Sequence, residues 1–412
     1  MTNTAIVIGG GIAGCSSAYA LAQRGIQVTL IERQAQIANA ASGNPFAMLY
    51  PRLSGDDSSS QFALASYLYS LVFYQTLQLP VADFSACGML QLGFNARELA
   101  RIQKVAAQNY PASILKYVSQ HKASEIAGIS LTHDALYFPS AGWLQPQHLC
   151  QHLTQHPNIS VLHSQSVSSF SKQAHGFEVY NHDQLLATAP VLIIANANDA
   201  QQLLPKLPLQ SKAVRGQVSV LEPSSSSRRI NTILCSDGYL SPAAGSQPIH
   251  CLGASFANVE TPSTTPQDLT PTAQDHMDNL LKLSNISTLL YKDLQANMIG
   301  GRVSYRCTTS DYWPLVGELI DGDALKAKPV RPSAPATTLP WISGLYINAA
   351  HGSKGFTSAP LCAEVLACMI TQQALPISDE LASLLNPNRF LLREMGLKQL
   401  AKTVAYAHKI SG

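Results

Sequence analysis

Charge is scarce in this chain. Of 412 residues only 13% are Asp, Glu, Lys or Arg, and 27 basic side chains against 25 acidic ones leave a formal net charge of +2. That balance excludes a polyanion-binding surface built on bulk charge. No apolar run reaches the roughly 18 residues that a membrane-spanning helix needs. The start, MTNTAIVIGGG, has neither a basic n-region nor a cleavage site and enters an apolar run within a few residues, so no signal peptide is expected. Eight cysteines (Cys15, Cys87, Cys150, Cys235, Cys251, Cys307, Cys362 and Cys368) form no CxxC pair and no ligand-like group with histidines. They are expected as small core residues of a protein in the reducing cytoplasm, with no metal site. There is no internal repeat, no Ser-His-Asp set and no pair of acids.

What is present is apolar patterning. Hydrophobic residues make up 46% of the chain, enough for two or three packed units. AIVIGG and IQVTLIE are short apolar runs suited to buried parallel strands, and AGCSSAYALAQRG between them has helical spacing and a stop at Gly25. QFALASYLYSLVFYQTL, ARELARIQKVAAQNY, GWLQPQHLCQHLTQH and HMDNLLKLSNISTLL read as further helices. From KAVRGQVSVLEP to HCLGASFANVE, alternating runs joined by Ser/Gly/Pro turns predict an antiparallel sheet. Residues 321–340, rich in Pro and Ala, are expected to form an exposed, mobile insertion. LYINAA and SAPLCAEVLACMI then read as a strand and a helix.

Gly9, Gly11 and Gly14 have G-x-G-x-x-G spacing between the first strand and the first helix. Gly9 permits the tight turn, Gly11 lets backbone approach a pyrophosphate, and Gly14 lets helix pack on strand. The free N–H groups and partial positive charge of the helix N-terminus suit phosphates. Glu32, at the end of the second strand, is an acid that accepts ribose hydroxyls and disfavours a 2′-phosphate; the plainer alternative is a solvated strand end. At the far end, LYINAAHGSKGFTSAPLCAEVLA is again strand, glycine turn and helix. A second helix N-terminus of this kind stabilises negative charge on a flavin ring, which points to FAD over NAD. The alternative is an ordinary strand–helix connection with His351 as a packed histidine.

AIVIGGGIAG, ASGNPFAMLYPRL, RGQVSV, DGYLSP, RCTTSDYWPLVGE and AAHGSKGFTSAP occur in the order and spacing of the D-amino-acid-oxidase-like flavoproteins, which include glycine and sarcosine oxidases. Within that superfamily the chain most closely resembles the FAD-dependent oxidoreductase domain of the bifunctional tRNA 5-methylaminomethyl-2-thiouridine biosynthesis proteins. ASGNP, LYPRLSGDD, RGQVS and HGSKGFTSAPL carry that closer resemblance, and it covers nearly the whole chain. It implies an α/β fold with a discontinuous Rossmann-type FAD-binding domain over 1–80, 141–213 and 300–412. A substrate domain on a mostly antiparallel sheet takes 81–140 and 214–299.

Residue by residue, the resemblance adds Ile12, Ala13 and Arg33 to Gly9, Gly11, Gly14 and Glu32 in the dinucleotide half. It puts Ser42, Gly43, Asn44 and the backbone of Leu49 near pyrophosphate and flavin, Val167 beside the adenine, and Gly352, Ser353, Lys354, Gly355 and Phe356 along the flavin edge. One departure concerns IIANAND, where relatives have Ala-Gly or Asn-Gly; Ala197 or Asn198 takes the turn here. Arg306 falls where relatives hold a substrate carboxylate, and a planar guanidinium suits that task because it forks onto both oxygens. Arg302 is the rival, one of the two being a structural ion pair. Tyr239 and Phe256 match positions that wall the substrate cavity, or else are plain sheet core residues. His351 is a further candidate for moving protons.

The implied reaction oxidises the carboxymethylaminomethyl group of a tRNA wobble uridine, releasing glyoxylate and leaving the aminomethyl nucleoside. Dioxygen is the implied electron acceptor, and a methyltransferase domain or protein acting on the product amine is a further implied partner. A tRNA partner needs basic surface. Candidates are Arg389, Arg393, Lys398, Lys402 and Lys409 against the single acid Glu394, and a smaller group of Arg97, Arg101 and Lys104; the alternative for either is a solvated helix face. Two rival functions are a free-standing glycine or sarcosine oxidase and a non-catalytic FAD- or tRNA-binding module.

Overall fold

The computed structural model describes residues 3–259 and 267–406. The chain divides into two compact units. The first comprises 1–43, 150–214 and 306–412, the second 44–149 and 215–305.

In the first unit a six-stranded sheet is built on the opening strand, Thr4–Ile8. That strand pairs in parallel with Gln27–Ile31 on one side and Val191–Ile194 on the other; Ile159–Leu162 and Trp341–Ala349 extend the sheet in parallel, and Leu315–Ile320 closes one edge antiparallel. The strands read as unbroken apolar runs because both faces are covered. Ile6, Val7, Leu30, Ile193 and Ile347 are fully buried, each contributing about 1.5–3 kcal/mol. The helix Ile12–Ala22 packs on Gly355–Thr371, and small residues on both, among them Gly14, Ala18, Ala359 and Ala363, let the axes approach closely. A three-stranded antiparallel meander, Ser169–Gln173, Gly176–Asn181 and Gln184–Ala189, lays Phe177 and Val179 onto the same core.

The second unit carries the nine-stranded, largely antiparallel sheet expected from the alternating runs. Its order runs from Ala257–Val259 through Ser211–Leu221, His250–Gly253, Tyr239–Leu240, Ile233–Cys235, Met89–Leu92 and Ala135–Phe138 to Lys116–Val118, with Met298–Thr309 paired to Ser211–Leu221. A separate core of Leu, Ile and Ala side chains fills one face beneath the helices Gln120–Ala127 and Ala273–Ile286. Residues 44–80 and 141–149, expected with the dinucleotide domain, pack in this unit. The reason is Ala47–Leu49, which pairs antiparallel with Gly142–Leu144 in a small sheet with Phe84–Ser85.

Two sequence expectations need correction. Residues 321–340 are mostly exposed, as expected, but they carry structure that their Pro/Ala-rich composition did not suggest. Asp321 caps a helix, Gly322–Ala327, by accepting from Asp323 N and Ala324 N, and Leu325 and Leu339 are buried in the first core. The run HMDNLLKLSNISTLL is two helices, Ala273–Ile286 and Thr288–Leu294, because extended Ser287 ends the first and its hydroxyl caps the second. Seven of the eight cysteines are buried, Cys87 half so, and all are free thiols. Among the described residues no helix is long and apolar enough to cross a membrane.

Candidate active site

The glycine turn is shaped from both sides by packing, and the three glycines differ in why they are glycines. Gly9 has φ +107°, and a Cβ there would lie 2.6 Å from Ala195 O. A Cβ at Gly14 would lie 1.8 Å from Gly9 O, so the helix could not sit against the turn. Gly11 is another case. Its φ of −80° is open to any residue, and a Cβ would meet only Ser42 Oγ, at 3.2 Å. Internal packing therefore accounts for Gly9 and Gly14 but leaves the space at Gly11 unused.

Around the turn the polar groups are ordered. Ile12 N, at the start of the helix, donates to Ser42 Oγ (3.0 Å). Glu32 accepts from Gly10 N (2.7 Å) through one oxygen and from Gln34 N (2.8 Å) through the other. Each carboxylate oxygen keeps acceptor capacity beyond those bonds. Arg33 pairs with Asp199 (2.7 Å) at the surface. Gly43 N donates to Ala40 O, closing the turn that holds Ser42. After the strand Val191–Ile194, Ala197 takes the left-handed position at φ +53°. Beside it Asn196 Oδ1 is buried with no hydrogen-bond partner among the described residues, and Asn196 Cα is 2.9 Å from where a Gly9 Cβ would be. Val167 packs, partly buried, on the sheet core, two residues beyond Gln165, whose N–H donates to Glu32 O.

The second turn follows the strand Trp341–Ala349. Gly352 has φ +58°, Gly352–Lys354 form a 3-10 turn, and Gly355 opens the long helix where a Cβ would lie 3.2 Å from Ile12 Cγ2 of the first. Phe356 is buried. His351 is fixed at both ring nitrogens, Nε2 to Asn348 Oδ1 (2.9 Å) and Nδ1 to Ser358 Oγ (2.9 Å). Asn348 Nδ2 in turn donates to Ser17 Oγ (2.9 Å) in the first helix, so one buried amide ties the two glycine turns together. Burial pushes the imidazole down to about 4, which keeps it neutral at pH 7. Ser17, Asn348 and Ser358 were not anticipated; an asparagine inside the apolar run LYINAA was the available clue.

A dinucleotide fits these residues. The open approach at Gly11, the acceptor Asn196 Oδ1 and the two oxygens of Glu32 lie around one turn. Gly9, Gly11, Ile12, Ala13, Gly14, Glu32, Arg33, Ser42, Gly43, Val167 and the Gly352–Phe356 turn all belong to the first unit.

Asn44 and Leu49 fall in the second unit, Leu49 fully buried on its strand. There Arg302 Nη1 donates to Asn44 Oδ1 (3.2 Å), and burial lowers the Arg302 guanidinium from its ordinary value. Strand alternation puts Arg302, Ser304 and Arg306 on one face of Met298–Thr309, with Arg306 half-buried as the first residue of the first unit's last segment. Tyr239 lies half-buried opposite Gly253, its hydroxyl 3.9 Å from Cys251 Sγ. Phe256 is 60% exposed beneath the Lys282 ammonium, and so is not a core residue.

The basic groups expected at the surface are partly internal. Arg101 donates to Glu98, Leu53 O and Gln91 and is 11% exposed, while Arg97 and Lys104 face solvent. Arg389 is 1% exposed and spans Asp311 with two bonds. The C-terminal run is no single cationic face, because the helix Arg389–Glu394 ends at Gly396, φ +76°. Arg393, Lys398 and Lys402 are exposed, and Lys409 lies outside the described residues.

Residues 4–369 match the FAD dependent oxidoreductase family. The chain is 43% identical, over 97% of its length, to the tRNA 5-methylaminomethyl-2-thiouridine biosynthesis bifunctional protein MnmC of Methylobacillus flagellatus. It is 40% identical over 95% of its length to the protein of that name from Ectopseudomonas mendocina. The chain spans 61% and 60% of those two relatives. Among solved structures, glycine oxidase from Geobacillus kaustophilus superposes with a TM-score of 0.72 at 18% identity, over 90% of this chain and 95% of that one. L-proline dehydrogenase from P. horikoshii gives 0.74 at 20%, over 96% and 98%. At those identities the likeness to the two oxidoreductases is one of fold.

Proposed function

The chain belongs to the FAD-dependent oxidoreductase family, and on that premise we propose that it oxidises the carboxymethylaminomethyl group of a tRNA wobble uridine. The products are glyoxylate and the aminomethyl nucleoside. The observation that carries this reading is the 43% identity along 97% of the chain to a relative named for tRNA 5-methylaminomethyl-2-thiouridine biosynthesis. The small-molecule oxidoreductases of like fold share only 18–20%.

The substrate arm, –CH2–NH–CH2–COO⁻, is an N-substituted glycine. Bound FAD supplies a two-electron acceptor for it. Arg306 is the residue we assign to the carboxylate, which fixes the arm by charge and by the direction of two parallel N–H donors. Arg302, bonded to Asn44 on the same strand face, supports that surface. Tyr239 and the exposed ring of Phe256 flank the substrate on the second unit. Loss of a hydride equivalent and the nitrogen proton leaves an imine between nitrogen and the former α-carbon. Water adds at that carbon, the C–N bond breaks, the nitrogen leaves as a primary amine and the carbon as the aldehyde of glyoxylate. Glu32 would hold the ribose hydroxyls of the cofactor, the Ile12 helix end and Ser42 its pyrophosphate, and the Gly352–Phe356 turn its ring. His351, neutral and fastened at both nitrogens, holds that turn in place. We assign the cofactor to the first unit and the protein to the cytoplasm.

The test is anaerobic bleaching of the flavin by tRNA carrying carboxymethylaminomethyl-2-thiouridine, beside glycine and sarcosine at high concentration, with mass analysis of the nucleoside. Bleaching by the tRNA with formation of the aminomethyl nucleoside is expected. Bleaching by the free amines alone would replace this reading with a metabolic amine oxidase.

A further inference from the structure

The strand that carries Arg306 ends at Thr309 and turns through Ser310–Pro314 into the edge strand Leu315–Ile320. The turn is pinned from beneath. Buried Arg389 reaches Asp311 through Nε (3.0 Å) and Nη2 (2.8 Å), Trp313 O through Nη2 (2.8 Å) and Pro314 O through Nη1 (3.2 Å). Ser310 is tied to Gln210 by its N–H and its hydroxyl. Between these anchored residues Tyr312 is presented outward, 83% exposed, with φ +64°. A bulky side chain in the left-handed region costs backbone energy that glycine avoids, and at 83% exposure burial returns almost nothing for it.

The surroundings are cationic and polar. Asp311 is already matched by Arg389, yet Arg393 also reaches it (3.1 Å) while remaining 45% exposed, so the turn carries surplus positive charge. Lys212 is exposed two residues from Gln210, which Ser310 contacts. A protein-docking patch would show exposed apolar neighbours; here Ser310 and Asp311 precede the tyrosine and Trp313 is half-buried. An open aromatic face beside guanidinium and ammonium groups suits a single-stranded nucleic acid, whose bases stack and whose phosphates take the charge.

We propose that Tyr312 is a stacking platform for an unpaired base of the RNA substrate, with Arg393 contacting a neighbouring phosphate. The proposal rests on the tRNA reading above. Six residues separate Tyr312 from Arg306, so the platform lies within about 20 Å of the guanidinium-bearing residue, a distance that bases next to the modified one can cover.

The test compares Tyr312→Ala, Tyr312→Phe and Tyr312→Gly in the FAD-loaded protein. Two quantities are measured, the Kd for tRNA carrying carboxymethylaminomethyl-2-thiouridine and the melting temperature. Ala and Gly are expected to weaken binding by about 5- to 150-fold, the worth of one stacked base, while Phe stays within about twofold. Gly is expected to hold or raise the melting temperature, because it relieves the left-handed strain. Arg393→Ala is expected to weaken binding and lower the salt slope by about one. Wild-type affinity in Tyr312→Ala, or a melting temperature lowered by Gly, would overturn the platform while leaving the tRNA reading intact. A wild-type protein that neither binds nor oxidises the tRNA would remove both.

Discussion

Gly11 and Gly14 are the same residue type three positions apart, yet replacing each with alanine should fail in different ways. At Gly14 the new methyl would sit 1.8 Å from the backbone oxygen Gly9 O and 3.4 Å from Val7 Cγ1. The helix must move by more than about 1 Å, at or above the roughly 3 kcal/mol upper end of ordinary overpacking. At Gly11 the methyl meets one hydroxyl, Ser42 Oγ, at 3.2 Å, and the backbone is already in an ordinary region. The cofactor-free protein should therefore keep its stability to within about 1 kcal/mol. The damage appears only when FAD is added, since the methyl occupies the approach of the pyrophosphate. A crowding cost of about 1–3 kcal/mol corresponds to roughly 5- to 150-fold in Kd, and Gly11→Val, with two further carbons, should abolish binding. The assay has two arms on flavin-stripped protein, denaturant unfolding and calorimetric titration with FAD. Equal destabilisation of the two alanine variants would refute the reasoning, as would wild-type FAD affinity in Gly11→Ala.

Arg306→Ala should purify with FAD and lose about 30- to 1,000-fold in kcat/KM for the modified tRNA, the cost of a lost charge-assisted carboxylate contact; near-normal turnover would move the assignment to another residue. His351 titrates near 4 in the fold against about 6.5 unfolded. Stability is therefore full above pH 6.5 and falls as pH drops towards 4, by up to about 3 kcal/mol. His351→Asn should flatten that part of the profile in urea unfolding at pH 7, 5.5 and 4.5, and an unchanged slope would contradict it. Arg389→Ala strands Asp311 against buried carbonyls and should cost about 3–5 kcal/mol; Arg393→Ala, on the same carboxylate but half-exposed, should cost less than about 1. Asp311, lowered to about 2 by its two arginines, should hold the turn at all pH above about 4 and release it as pH falls through 2, worth about 1–2 kcal/mol after screening by solvent.

Much of the architecture was legible because it rests on local rules. Short apolar runs became the parallel strands, and the alternating runs after residue 211 became the antiparallel sheet. G-x-G-x-x-G spacing located the turn, since a strand, a left-handed glycine and a helix N-terminus are set by adjacent residues. The spacing of six short motifs along the chain was enough for the family. Helix ends were less legible where a single serine or aspartate decided them, as at Ser287 and Asp321.

What sequence could not decide was the use each charged and polar side chain makes of its surroundings. Arg101 and Arg389 look like surface cations among polar neighbours in the chain, and in space each is consumed by carbonyls and one acid. Nothing in SDYWPLVGE singles out Tyr312, yet it is the residue the turn presents outward. Hydrophobic period and backbone sterics determined the order of strands and helices and the glycine turn, while the resemblance of six motifs to known flavoproteins supplied the fold family, the cofactor and most of the candidate residues. Only the tertiary structure decided which of those residues are spent on holding the fold, because that depends on partners brought together from distant parts of the chain.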